Sequence, residues 1–277
     1  MIKVGFVTCV QLGYSCMQAI YEVGGKLDLA ITLLDSQAKT KSGRVYLDSF
    51  CQTHEIPLLK ASHVNNAEVV KAVKDAELDW LFIIGWSQIA SQELLDAPKR
   101  GVLGMHPTLL PVGRGRAAIP WAILKGLDKT GVTLFKLDAG VDTGPIVDQV
   151  EIPLDNRIDA TRLYQDVDKA HISLMKKVIP ALMADKLDLK VQDETLATEW
   201  PGRKPEDGLI DLSGSVYDAD RMIRALARPY PGAFYFEDDC KVVVWKAQVV
   251  SSDYIGDCVS FFDGKLELIE FEKFPLN

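Results

Sequence analysis

"DWLFIIGW" (79–86), "SQELLDA" (91–97) and "GVLGMHP" (101–107) follow one another closely in the sequence. Two near-continuous apolar runs flank a short amphipathic pattern. A strand buried on both faces has no need of alternating polar residues, so this reads as strand, helix, strand in a parallel sheet covered on both sides. The same alternation fills the chain before it: "KVGFVT", "LGYSCMQAIYEV", "LDLAITLLD", "SGRVYLDSFCQTH", "IPLLKA" and "NAEVVKAVKD". The expected fold is α/β, a Rossmann-like mostly parallel sheet. Between Lys3 and Tyr14 there is no G-x-G-x-x-G, so a nicotinamide cofactor is not expected. Ligands of such sheets lie outside the carboxyl ends of the strands, which places His106 on the functional edge.

Beyond the strand that ends at His106, "RAAIPWAILKG" reads as a short helix ending at Gly126, with Pro120 tolerable in the first turn only. "GVTLFKL" and "PIVDQVEIPL" read as strands. Leu163, Val167, Ala170, Leu174, Val178 and Leu182, spaced by three or four, mark the buried face of one long helix. From Glu199 the texture turns polar, with proline and glycine as punctuation, which implies a boundary: a Rossmann-like catalytic domain over 1–199 and a small mainly-β C-terminal domain over 200–277. In the latter, one helix, "SVYDADRMIRALA", precedes the strand-like runs "GAFYFE", "KVVVWKAQVV", "CVSFF" and "KLELIEFE".

The chain has 277 residues, 48% of them hydrophobic and 25% charged, as in ordinary globular proteins. A formal net charge of −8 disfavours a general nucleic-acid binder and favours small ligands. Five scattered cysteines without a C-x-x-C pair indicate neither a disulfide framework nor a zinc cluster. No signal peptide or membrane span is read, so cytoplasmic residence is expected.

A histidine at a strand end beside a flexible loop can move a proton near neutral pH. Spacing alone leaves open that His106 is simply packed at the strand terminus. His54 and His63 read as solvated turns, and His171 as a structural residue beside the apolar stripe of its helix. Asp142 stands in "DAGVDTGP" between Gly140 and Gly144, where the main chain can approach a ligand or where an aspartate makes an ordinary Asx turn. "PVGRGR" offers Arg114 and Arg116 as forked donors to a phosphate, or as solvated turn residues, and it is no P-loop.

Together, "HPTLLPVGRGRAAIPWAIL" and "LDAGVDTGPIV" resemble the H-P-S-L-L-P loop and the D-x-G-x-D-T-G-x-I turn of the folate-dependent formyltransferase family. "IRALARPYPGAFYF" is similar to the opening of the C-terminal domain in members that have one. The resemblance implies transfer of a formyl group from N10-formyltetrahydrofolate to an amine, without a metal. It puts the catalytic histidine on His106 and the aspartate on Asp142. The family's asparagine, two residues before the histidine, falls on Gly104, so one oxyanion donor is missing: either Thr108, a backbone N–H or a water replaces it, or the enzyme is slow. The resemblance places the folate pterin against Trp86, Ser87, Gln88 and Ile89 and against the turn of Asp138, Gly140, Val141 and Asp142.

Members acting on glycinamide ribonucleotide would leave the last quarter of the chain unexplained. Residues 201–277 carry nine Lys plus Arg against fourteen Asp plus Glu, which argues against tRNA. The expected acceptor is a nucleotide-linked amino sugar, UDP- or dTDP-borne, with Thr108, Arg114, Arg116 and Tyr230 as substrate contacts. A homodimer is expected by analogy, with neither nucleic acid nor membrane as partner. A methionyl-tRNA formyltransferase, a formyltetrahydrofolate hydrolase and a catalytically idle folate- or nucleotide-binding protein remain alternatives.

Overall fold

The computed structural model describes residues 2–40 and 43–276. In chain order the first half runs β1 (Val4–Val7), α1 (Gln11–Glu22), β2 (Leu29–Leu33), α2 (Asp48–Thr53), β3 (Leu58–Ala61), α3 (Ala67–Asp75), β4 (Trp80–Ile83), α4 (Gln92–Leu95) and β5 (Gly101–His106). Of the run "SGRVYLDSFCQTH" only Asp48–Thr53 is helical, and Ser42 lies outside the described residues. There follow β6 (Arg114–Gly115), α5 (Ala118–Leu124), β7 (Lys129–Lys136), β8 (Ile146–Pro153), α6 (Ala160–Met183), β9 (Glu199–Trp200), α7 (Val216–Ala225), β10 (Ala233–Glu237), β11 (Cys240–Val250), β12 (Cys258–Phe261) and β13 (Gly264–Pro275).

Seven strands form one sheet in the order β3-β2-β1-β4-β5-β7-β8. The pairings from β3 to β5 are all parallel, and β7 joins β5 antiparallel with His106 opposite Thr133. Every residue of β1, β2 and β4 is buried, which is why these strands read as unbroken apolar runs. The fold is the expected mostly parallel α/β sheet, accompanied by a small antiparallel sheet in the order β10-β11-β13-β12. Pro120 is the third residue of α5, in the first turn, where its missing N–H costs no helical hydrogen bond.

The chain divides into two compact units, each built from separated segments. The first comprises Met1–Arg114, Gly131–Ile152 and Val167–Thr198; the second comprises Gly115–Thr130, Pro153–Asp166 and Glu199–Asn277. In the first, Val69, Val70 and Val73 of α3 pack with Leu29, Ile31 and Leu81 of the sheet. In the second, Val216, Ala219 and Ile223 of α7 cover Tyr235, Val242, Val244 and Leu266. Val242 and Val244 are two apart and so share one face of β11, and Val243 between them is buried as well. No helix among the described residues is long and apolar enough to cross a membrane.

Candidate active site

His106 ends β5 on the carboxyl edge of the parallel strands, and its ring is buried. Nε2 lies 2.8 Å from the Gly113 carbonyl oxygen. Nδ1 lies 3.5 Å from Oδ2 of Asp142. Both ring nitrogens therefore face acceptors. A neutral imidazole has one N–H, so if Nε2 donates to Gly113 the Nδ1 lone pair points at the carboxylate. A second proton on the ring makes both contacts attractive.

The loop that supplies Gly113 is pinned from several sides. The Thr133 hydroxyl donates to the Thr108 carbonyl at 2.7 Å and accepts from the Leu110 N–H at 3.0 Å. Gln149 Nε2 donates to the Leu110 carbonyl at 2.8 Å, and the Gly113 N–H donates to the Thr198 hydroxyl at 2.9 Å. Leu110–Pro111 is a cis peptide. These bonds fix the carbonyl against which the His106 ring is anchored.

Asp142 adopts a left-handed backbone conformation, φ 56°, uncommon for a non-glycine residue. Asp138 Oδ1 accepts from the Gly140 N–H and the Thr143 hydroxyl, closing an Asx-type turn just before it. Gln192 Nε2 donates to the carbonyls of Asp142 and Gly144, each at 2.8 Å. Gln192 Oε1 in turn accepts from Nε and Nη2 of Arg114, which also pairs with Glu194 at 2.7 Å. That guanidinium holds the Glu194 carboxyl below its ordinary range. Arg114 is thus buried, with its fork turned toward Gln192 and Glu194, and it braces the turn that presents Asp142. Gln192 carried no signal in the sequence: its partners lie 48 to 78 residues away and no local pattern marks it.

Gly104, where the family motif has asparagine, lies in β5 beneath Leu137. A Cβ built there would stand 2.7 Å from Leu137 Cδ2 and 3.2 Å from Cγ. Thr108, two residues beyond His106, is 1% exposed. Its hydroxyl is buried without a hydrogen-bond partner. A buried polar group left unpaired is costly.

The two segments expected to hold folate are in the first unit. Trp86 Nε1 donates to Gln88 Oε1 at 3.2 Å, and the Gln88 amide also accepts from the Val64 N–H and donates to the Ser62 carbonyl, so Gln88 anchors its own turn. Ser87 and Ile89 are exposed, Ile89 at 83%. Gly140 and Val141 are exposed as well, Val141 at 63%. Arg116 and Tyr230 belong to the second unit. Arg116 is exposed, whereas Tyr230 lies with its ring centroid 6.4 Å from that of Tyr164. Burial pushes the Tyr230 phenol well above its ordinary range. Among the described residues no group of three or more His, Cys, Asp or Glu could hold a metal ion. His54, expected in a solvated turn, instead lies 4.0 Å from the Tyr21 ring and 4.4 Å from the Phe50 ring, centroid to centroid.

The formyl transferase family matches residues 16–179, and the formyl transferase C-terminal domain matches residues 203–270. The chain belongs to the formyl transferase family. It is 28% identical over 244 residues to the bifunctional polymyxin resistance protein ArnA of Wigglesworthia glossinidia brevipalpis, spanning 88% of this chain and 37% of that protein. It is 31% identical over 201 residues to the methionyl-tRNA formyltransferase of Geobacter sulfurreducens, spanning 73% of this chain and 63% of that one. The chain thus covers less than two thirds of either curated relative. In fold it is similar to the N-formyltransferase from Helicobacter canadensis, solved with folinic acid and dTDP-3-aminofucose, at TM-score 0.73 and 18% identity over 99% of this chain and 100% of that one.

Proposed function

We propose that this protein transfers the formyl group of N10-formyltetrahydrofolate to the amine of a nucleotide-linked amino sugar. The observation that carries the reading is the His106–Asp142 pair, a buried imidazole 3.5 Å from a half-buried carboxylate at the carboxyl edge of the sheet, in a chain of the formyl transferase family. Two further points support it. The Helicobacter canadensis neighbour was solved with a formyl-folate and a dTDP-linked amino sugar. The acidic C-terminal stretch offers little to an RNA backbone.

With Nε2 anchored on Gly113, the working side of the His106 ring is Nδ1. The acceptor nitrogen forms a bond to the formyl carbon, and the carbonyl oxygen becomes an oxyanion. The Thr108 hydroxyl is the donor assigned to that oxygen, in place of the family's asparagine amide, and Nδ1–H joins it when the ring carries its second proton. Asp142 takes a proton from that nitrogen once it has bonded to the formyl carbon and carries the positive charge. Collapse breaks the bond between the formyl carbon and N10, and N10 leaves with that proton. The pterin is assigned to main-chain groups of residues 86–89 and of the Asp138–Asp142 turn, whose exposed Ile89 and Val141 offer it apolar contact.

A mass-spectrometric assay tests this with N10-formyltetrahydrofolate and UDP- and dTDP-linked amino sugars, beside methionyl-tRNA and a control without amine. The expected product is a formylated sugar nucleotide, absent with His106→Ala and Asp142→Ala. Formyl-methionyl-tRNA, or formate released without any amine, would replace the sugar reading with a tRNA or hydrolase reading.

A further inference from the structure

Residues 190–198 form a short strap that is tied first to one half of the acid–base pair and then to the other, all within the first unit. Lys190 exchanges two backbone hydrogen bonds with Ile146, at 2.7 and 2.8 Å, just beyond the Asp142 turn. Gln192 comes next, on the carbonyls of Asp142 and Gly144, and then Glu194, which accepts from Nη1 and Nη2 of Arg114 at 2.9 and 2.7 Å. At the far end the Thr198 N–H donates to the Pro111 carbonyl at 3.2 Å, and the Thr198 carbonyl accepts from the Arg114 N–H at 2.9 Å. The Thr198 hydroxyl accepts from the N–H of Gly113, the residue whose carbonyl holds Nε2 of His106.

Gln192 is 5% exposed, and its amide is used on every side. Both Nε2 hydrogens go to carbonyls, and Oε1 takes the Arg114 fork at 3.2 Å from Nε and 2.8 Å from Nη2. Turned over, the amide would set N–H against N–H and oxygen against oxygen, so the guanidinium decides which way it faces. A buried amide satisfied in this way admits one arrangement, because any shift leaves a desolvated group unpaired. The side chains of the pair have no such grip on each other. At 3.5 Å the contact between Nδ1 and Oδ2 is longer than an ordinary hydrogen bond. Their separation therefore follows the backbones that carry them, and the strap is bonded to both.

We propose that Gln192, Arg114 and Thr198 are positioning residues for formyl transfer: through them the strap of residues 190–198 sets how far the Asp142 carboxylate stands from Nδ1 of His106. Gln192 and Arg114 act on Asp142 through the carbonyls of its turn, and Thr198 acts on His106 through Gly113. None of the three touches a reacting atom, and Arg114 serves the protein here instead of a phosphate. The assignment deepens the formyl-transfer reading above and rests on it for the chemistry, while the geometry it invokes can be read without turnover.

The test combines steady-state formyl transfer, nitrogen NMR of the full chain labelled at its histidines, and thermal melting. Gln192→Glu still accepts from Arg114 but sets a carboxylate against two carbonyls. It is expected to lower kcat about 100-fold, as displacements of about 1 Å do, and to raise the folate KM, since the same turn is assigned to the pterin. Arg114→Lys keeps the charge without the fork and is expected to act in the same direction. Thr198→Val leaves the Gly113 N–H unpaired and is expected to lower kcat about tenfold with both KM values unchanged, and Thr198→Ser to restore it. Gln192→Glu and Arg114→Lys should displace the His106 Nδ1 signal in the sense that Asp142→Asn does, and Thr198→Val the Nε2 signal. Thr53→Val, which removes an exposed hydroxyl bond on α2, serves as the unchanged control. Thr198 is exposed, so its variants carry the test should the buried ones melt early. Wild-type ring signals in the folded variants, whatever their melting temperatures, would overturn the proposal. Displaced signals in a protein that formylates no amino sugar would instead leave the strap standing and remove the sugar reading.

Discussion

Gly104 has Leu137 where a side chain would go, so restoring the family's asparagine is a packing problem as well as a chemical one. Gly104→Asn is expected to lower the melting temperature and leave turnover no faster, because Leu137 must leave its place. Combining it with Leu137→Ala is expected to recover both, as a thermal melt and a formyl-transfer rate would show. Thr108 yields the opposite signature. Replacing an unpaired buried hydroxyl by the isosteric methyl of valine leaves stability equal or higher. If that hydroxyl serves the oxyanion, Thr108→Val slows turnover, with a loss of about 100-fold where such donors have been removed elsewhere. Unchanged turnover would hand the role to a backbone N–H or a water. At this level the sequence was uneven. His106 and Asp142 were visible because each stands beside glycine or proline at an element end, and the structure brings them together. Arg114 was read as a phosphate ligand, and its buried fork on Gln192 and Glu194 could not be foreseen, because such pairing follows from topology.

Helix α6 was the most legible element: all six residues of its predicted stripe are buried. On the same helix, His171 is fully enclosed, and Nδ1 lies 2.8 Å from the Val167 carbonyl one turn back. Burial pushes its pKa down from 6.5 to about 4. The unfolded chain thus binds this proton first as pH falls. The contribution to stability is complete above pH 6.5 and disappears between there and about pH 4, a loss of about 3 kcal/mol. Urea unfolding at several pH values should therefore show a shallower acid slope in His171→Leu than in wild type. At the start of α7, the Ser215 hydroxyl accepts from the Tyr217 N–H and donates to Asp263. Ser215→Ala is expected to cost about 1 kcal/mol in denaturant unfolding, as lost N-caps do. Strands β6 and β9 escaped the reading, since two residues each are too few to carry a period.

For the molecule as a whole, the sequence suggested two domains in succession, divided by the texture change near Glu199. Periodicity had no means of revealing that the chain returns to the second unit more than once, contributing Gly115–Thr130 and Pro153–Asp166 before the final stretch. Helix α5, from the first of those segments, packs on α7 from the last. A fragment of residues 1–199 leaves α5 without its cover, with Ile119, Ala122 and Ile123 of its buried face uncovered. That fragment is expected to aggregate or to melt well below the full chain by circular dichroism, and coexpression of residues 200–277 to restore it. A cooperative melt near that of the full chain would contradict this. The same interleaving bears on how such a protein can change its acceptor over evolutionary time. A tail acquired whole by recombination would meet an α5 that had never been shaped to receive it. New specificity must then arise by substitutions accumulated together on both stretches of the gene, and descent will record the two as inherited in concert.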